Sequence, residues 1–223
     1  GNTVFVAGGS FAVTPGRSWV VRAYRASDGQ LLWEDISGGA GENLAKAIAV
    51  GDRGIFVAGK LESDLGLVRA YDQDTGAVTW EDRFVANADG AMGIVSDGDR
   101  VFAAGGGARG SLTALIGRAY TSRDGSVIWQ DELVFGPSGG SGAEAITRHG
   151  DRIFVAGCGE VRTPGTCGDG LVRSYSRDGA LVWEDIFTFS DGPSTIRLRA
   201  RPIGSMVVPG YGISKLPASV ARH

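Results

Sequence analysis

Lysine, histidine and cysteine are all scarce in this chain, and each shortage removes a class of function. Only Lys46, Lys60 and Lys215 are lysines among 223 residues, and the net charge is −3. A nucleic-acid footprint needs a concentrated basic face, so that class is set aside. Two histidines, His149 and His223, and two cysteines give a Cys/His zinc centre almost no support. No apolar run approaches the ~18 residues that span a bilayer. No segment carries a sustained helical period of apolar residues. Gly-x-Ser-x-Gly, P-loop and dinucleotide fingerprints are missing, and Gly105-Gly106-Gly107 reads as part of a strand-linking loop. Residue 1 is glycine and no signal peptide opens the sequence, which is the expectation for a processed form or a fragment.

What the chain has in excess is glycine, 37 residues, more than double the usual ~7%. Without proline richness this means many tight turns. Internal repeats give them an order. Phe5, Phe56, Phe102 and Phe154 each open Phe-Val-Ala-Gly or Phe-Ala-Ala-Gly. Tyr24, Tyr71, Tyr120 and Tyr175 follow, each two residues after an arginine. Trp33, Trp80, Trp129 and Trp183 close the units, followed by Glu-Asp or, once, Gln-Asp.

Within each unit, short β-branched and aromatic runs alternate with Asp/Gly turns, which are hairpin signals. Each unit of about 50 residues therefore reads as four antiparallel strands, and that period points to propeller blades. Small or modest residues flank Ile48, Ile94 and Ile146 on the first strands, as crowding around a central axis requires. The expected fold is all-β: one propeller domain of about four four-stranded blades, or a truncated larger propeller. Units are expected at about 3–43, 44–89, 90–142 and 143–192, with a tail at 212–223. Residues 193–211 are expected to be either a strand closing the N-terminal blade, which lacks its first strand, or a partial fifth blade. A closing strand removes sheet edges and is the favoured reading.

Residues 70–80 read Ala70-x-Asp72-x-x-Thr75-Gly76-x-x-x-Trp80. This resembles the tryptophan-docking repeat of the quinoprotein-like β-propellers. The other units keep less of it: Ala23, Gly29 and Trp33; Ala119, Gly125 and Trp129; Gly179 and Trp183. The resemblance spans residues 3 to about 187. It implies inter-blade packing for the four tryptophans. The family's enzymes use pyrroloquinoline quinone with a metal ion on roughly eight blades, whereas other relatives keep the repeat as assembly or binding scaffolds. The acidic metal ligands, catalytic aspartate and adjacent-cysteine disulfide of the enzymes find no match here. The expectation is accordingly no catalytic residues, no metal and no cofactor.

Cys158 and Cys167 bracket a short loop and read as a disulfide worth roughly 2–3 kcal/mol, against the alternative of two reduced thiols. A disulfide implies an oxidising compartment, so a periplasmic or secreted location is expected. Asp72-Gln-Asp-Thr-Gly76 lacks the closing glutamate of a calcium loop and reads as turn chemistry. The Glu-Asp pairs put their carboxylates on opposite faces of a strand. They are expected to meet Arg22, Arg69, Arg118 and Arg173 on the neighbouring strand.

Three functional readings follow. The first is a non-catalytic scaffold that binds a protein or small ligand through the loops between second and third strands, residues 9–18, 60–66, 106–113 and 158–169. The second is a fragment of a quinone-dependent dehydrogenase. The third is a carbohydrate-binding propeller in which Trp19 or Tyr211 stacks on sugar. Arg197 and Arg199 replace small residues beside the expected axis, where two guanidinium groups suit an anionic ligand; an unclosed edge with both in water is the blander reading. On that blander reading, calorimetric titration with anionic ligands gives identical heats for Arg197→Ala and the unsubstituted chain. A difference between them establishes a site.

Overall fold

The computed structural model describes residues 2–10, 16–38, 41–62, 64–86, 90–109, 112–134, 142–158, 161–163, 166–167, 169–188, 199–200 and 206–207. Every regular element among them is a β-strand. The first blade contains β1 (Thr3–Ser10), β2 (Gly16–Arg25) and β3 (Leu31–Ser37), with the short β4 (Gly41–Glu42) parallel to β2. The second is β5 (Leu44–Gly51), β6 (Gly54–Leu61), β7 (Leu65–Tyr71) and β8 (Val78–Val85). The third is β9 (Ala91–Ser96), β10 (Arg100–Arg109), β11 (Leu112–Thr121) and β12 (Val127–Leu133). In the fourth, β13 (Gly142–His149) and β14 (Arg152–Cys158) are followed by a small hairpin of β15 (Val161–Thr163) and β16 (Thr166–Cys167). The blade is completed by β17 (Asp169–Ser176) and β18 (Leu181–Thr188). Apart from β4, neighbours in each blade pair antiparallel in simple up-and-down order.

The blades form successive layers of a truncated propeller. Innermost strands follow one another, β5 against β9 and β9 against β13, while β1 lies beside β5, the described residues placing no strand inside the first blade. Alternation along a strand decides which neighbour each side chain meets. On β6, Ile55 and Val57 join Trp19 and Val21 of the first blade, whereas Phe56 and Ala58 join Val101, Ala103 and Ile116 of the third. The same division recurs one blade on, where Phe102 and Ala104 pack with Ile153 and Val155. The core is therefore a series of inter-blade seams.

One expectation needs correction. Gly105–Gly107 lie inside β10, so residues 106–113 are mostly strand. Of the segment expected either to close the N-terminal blade or to begin a fifth, the described residues are β19 (Arg199–Ala200), which lies beside β13, and β20 (Met206–Val207), which pairs antiparallel with it. Its register places Arg199 opposite Val207, as Ala49 is opposite Phe56.

Each seam is closed at its outer edge by a tryptophan. Trp33 Nε1 donates to the Gln73 carbonyl at 2.9 Å, Trp80 to Ser122 at 3.1 Å and Trp129 to Arg177 at 3.1 Å. Every acceptor lies in the turn between the third and fourth strands of the following blade. Each indole also stacks on the next blade's tyrosine, at 6.0 Å for Trp33–Tyr71, 5.6 Å for Trp80–Tyr120 and 5.5 Å for Trp129–Tyr175. The turn glycine has a double reason to be glycine. Gly76 has φ of 71°, and a Cβ there would sit 2.6 Å from the Trp33 ring. Gly125 repeats this against Trp80, and Gly179 against Trp129.

Removing one indole opens a seam that the remaining packing cannot refill. Trp80→Ala is expected to cost about 3–5 kcal/mol in a denaturant melt. A loss below about 1 kcal/mol would show that the ring is not a structural element of the seam.

Candidate functional site

Functional side chains fall into two sets, one spread along the seams and one at the loop face. The first begins with the arginine two residues before each tyrosine. Its own blade supplies a glutamate on the neighbouring strand: Arg22–Glu34 at 2.5 Å, Arg69–Glu81 at 2.8 Å and Arg173–Glu184 at 2.5 Å. The aspartate beside that glutamate points the other way along the pleat and reaches the following blade. Asp35 accepts from Arg69 at 3.1 Å and from the Tyr71 hydroxyl at 2.7 Å. Asp82 accepts from Arg118 and Tyr120, at 2.7 and 2.8 Å, and Asp131 from Arg173 and Tyr175, each at 2.6 Å. The Glu-Asp dipeptide thus serves two blades at once.

Electrostatics fit a structural role for these groups. Burial, and then the hydrogen bond to Asp35, raise the Tyr71 hydroxyl above the ordinary phenol range. Burial and the Asp82 charge do the same to Tyr120, and burial with the Asp131 hydrogen bond to Tyr175. All three therefore stay protonated as donors. Burial works against an ionised Glu81, yet Arg69 and Arg83 hold its carboxyl below the ordinary range.

One unit breaks the pattern. Gln130 stands opposite Arg118 where the other blades have glutamate, and its amide donates to Glu132 instead. Arg118 Nε is left buried with no hydrogen-bond partner, while its guanidinium lies 4.6 Å from the centre of the Phe84 ring.

The second set lies where the innermost strands begin. Each carries a β-bulge at the same point, between Ala45 and Ala47, Ala91 and Gly93, and Ala143 and Ala145. The extra residues are Lys46, Met92 and Glu144, on successive innermost strands at the end shared with the loops between second and third strands. Bulges re-aim side chains, and these three are neither buried nor fully exposed. Lys46 Nζ lies 2.9 Å from Met92 Sδ. The glycine of Phe-x-Ala-Gly exists for this bulge. A Cβ on Gly59, Gly105 or Gly157 would collide with the backbone carbonyl of Leu44, Gly90 or Gly142.

Nearby, Asn43 is fully buried and fastens two blades. Its amide donates to the Arg17 carbonyl at 2.9 Å, and its Oδ1 accepts from the Glu62 backbone at 3.1 Å. That bond secures Glu62 at φ of 59°, an uncommon conformation for a residue with a side chain. Cys158 is disulfide-bonded at the same face; the side chain of its expected partner, Cys167, lies outside the described residues.

The residues singled out from sequence fare unevenly. Trp19 is fully buried, with Nε1 donating to the Tyr71 hydroxyl at 2.8 Å, so it cannot stack on a sugar. Its ring fills space opposite Ser37, just as Phe84 fills space opposite Gly66. Arg197 and Tyr211 lie outside the described residues, and for Arg199 only the backbone, in β19, is described. Asp72 closes a turn by accepting from the backbone N–H groups of Asp74 and Thr75. Lys46, Met92, Glu144 and Asn43 were missed. For the first three the signal was a first-strand position, two residues before each aligned isoleucine, whose chemistry changes from unit to unit.

A family model described as outer membrane protein assembly factor BamB matches residues 17–209. The chain belongs to this family of quinoprotein-like repeat propellers. No curated protein matches it by sequence. Among solved structures it is similar to BamB from Moraxella catarrhalis, with 15% identity and a TM-score of 0.50 over 82% of this chain and 51% of that one. It is similar to the quinohemoprotein alcohol dehydrogenase ADHIIG from Pseudomonas putida HK5, with 17% identity and a TM-score of 0.57 over 91% and 37%. A europium-containing methanol dehydrogenase gives 13% and 0.60 over 94% and 45%. The chain therefore spans about half or less of the length of these propellers, and the likeness is one of fold. Lys46, Met92 and Glu144 are not the all-oxygen donor set that a hard cation requires. Among the described residues no group of three or more His, Cys, Asp or Glu side chains could hold a metal ion.

Supplying the missing partner tests the seam network. Gln130→Glu is expected to gain about 1 kcal/mol by pairing Arg118 Nε, read as a rise of roughly 2–4 °C in melting midpoint. An unchanged or lower midpoint would show that the guanidinium needs no second carboxylate.

Proposed function

We propose that this BamB-like propeller is a non-catalytic scaffold in outer-membrane protein assembly, working outside the cytoplasm, with the loop face as its binding surface. The observation that carries the reading is where chemistry varies between repeats. The recurring arginines, tyrosines, aspartates and tryptophans are largely engaged in seams. At the loop face the repeats differ in both residue type and loop length, with Lys46, Met92 and Glu144 at bulges beside loops of unequal length. A surface of mixed charge with a flexible thioether suits a polypeptide partner better than a single small substrate. The family's description as an assembly factor supports a protein partner, and the disulfide at Cys158 supports an oxidising compartment.

The competing reading, part of a quinone-dependent dehydrogenase, draws on the same fold and is separated by experiment. An unfolded outer-membrane β-barrel protein, labelled and diluted from urea, is expected to bind saturably by fluorescence anisotropy. The doubly substituted Lys46→Glu, Glu144→Lys chain should bind at least tenfold more weakly with its circular dichroism unchanged. Absence of saturable binding, or binding indifferent to both substitutions, would overturn the scaffold reading. Saturable uptake of pyrroloquinoline quinone with calcium, followed by alcohol-dependent dye reduction, would establish the enzyme instead.

A further inference from the structure

A buried polar atom with no partner is rare in a folded chain, and each has a physical cause. Arg118 Nε, in the third blade, is such an atom. It belongs to a charged group, which makes the missing bond costlier than that of a neutral donor. The other blades show what is missing. Arg22 Nε donates to Glu34 Oε2 at 2.5 Å, Arg69 Nε to Glu81 Oε2 at 3.0 Å and Arg173 Nε to Glu184 Oε2 at 2.5 Å. In the third blade the register puts Gln130 opposite Arg118, and its amide donates to Glu132 Oε1 instead.

The surroundings of Arg118 are otherwise built as in its neighbours. Its Nη1 reaches Asp82 of the preceding blade at 2.7 Å, just as Arg69 reaches Asp35 at 3.1 Å and Arg173 reaches Asp131 at 2.6 Å. That bond fixes the direction of the guanidinium. Phe84 lies against its face, 4.6 Å from Cζ to the ring centre, and leaves the edge that carries Nε–H for an acceptor. No water supplies that acceptor from within, because the space lined by Arg118, Phe84, Ala103, Ile116 and Tyr120 has no room for one. An acceptor can come from outside. Glu34, Glu81 and Glu184, which fill this position in the other blades, have side chains 32%, 31% and 29% exposed, so the position lies at the solvent rim. Gln130 is itself exposed and free to swing aside.

We propose that this notch is a carboxylate-binding site. An external carboxylate enters at the rim of the seam between the second and third blades and takes the place that glutamate fills in the other blades. One of its oxygens accepts from Arg118 Nε, as Glu81 Oε2 accepts from Arg69. The Gln130 amide, released from Glu132, donates to the other oxygen. Arg118 then holds two carboxylates, as Arg69 and Arg173 do, and the charge-assisted bond at the guanidinium edge carries the affinity. Glu132 is a like charge two residues along the strand, so a free carboxylate binds weakly, on the order of millimolar. A carboxylate side chain on a docked protein is presented at a far higher effective concentration. This site does not depend on the loop-face reading.

Chemical rescue on the full chain tests it, with sodium acetate in one arm and the blocked tripeptide N-acetyl-Gly-Glu-Gly-amide in the other. Sodium chloride holds the ionic strength constant, and the readout is the Arg118 Nε–H cross-peak in a heteronuclear NMR correlation spectrum. Acetate is expected to move that cross-peak saturably, whereas chloride alone leaves it in place. In Gln130→Glu the cross-peak is expected to start at the acetate-bound position and to stay there, with circular dichroism unchanged because the side chain is exposed. Acetate saturating at the lower concentration makes the ligand a free carboxylate, and the tripeptide saturating first makes it a side chain of a partner; either upholds the site. A cross-peak that ignores both ligands, follows chloride equally, or moves as far in Gln130→Glu overturns the proposal.

Discussion

The indole N–H of one blade bonded to a turn carbonyl of the next is the contact on which the rest of the structure depends. A four-stranded sheet of this size cannot bury both of its faces alone. It becomes stable by lying against another, and the tryptophan sets the distance and angle at which it does so. Stacking on the tyrosine fixes the ring plane, and the turn glycine leaves the ring nowhere to slide. With that edge clamped, the aspartate can reach across to arginine and tyrosine at hydrogen-bond distance. A charge partly removed from water is tolerated only when it is paired this well.

The seams are alike in plan and unequal in detail. Between the first and second blades, Arg69 meets two carboxylates, Trp19 adds a hydrogen bond to Tyr71, and Asn43 fastens the inner end. The third and fourth blades have an additional clamp at the opposite face, where Arg177 meets Asp97 at 2.5 Å and Arg100 meets Asp178 at 2.7 Å. Among the described residues the middle seam shows neither, and its arginine faces Gln130 where the other blades have glutamate. Sequence differences that look neutral within a repeat therefore grade the strength of the contacts between repeats.

Much of this was legible in the sequence because packing repeats itself. Four tryptophans, four phenylalanines and four arginine–tyrosine pairs in fixed order leave little freedom in fold class or strand order. The partnership of arginine with glutamate followed from strand pairing. What escaped was anything that needs the third dimension between blades. The aspartate's reach into the following blade was invisible because alternation says only that it faces away from its glutamate. Trp19 was misread as a surface ring because its identity makes sense only beside Ser37, as that of Phe84 does beside Gly66. Sequence alone left residues 193–211 as either a closing strand or a partial fifth blade, since pairing potential does not reveal which of two open edges is nearer. The bulged residues were hidden for a similar reason: an insertion of one residue in a strand looks like ordinary variation until its pairing partner is known.

A core made of seams has a consequence for how the molecule comes apart. Each blade is coupled to its immediate neighbours and to little else, so cooperativity passes along the array as it does along a one-dimensional chain. Among the described residues the second and third blades are each held from two sides, so their backbone amides should open only in large, costly events. Loosening one seam is then felt most in the two blades it joins and fades with distance along the array.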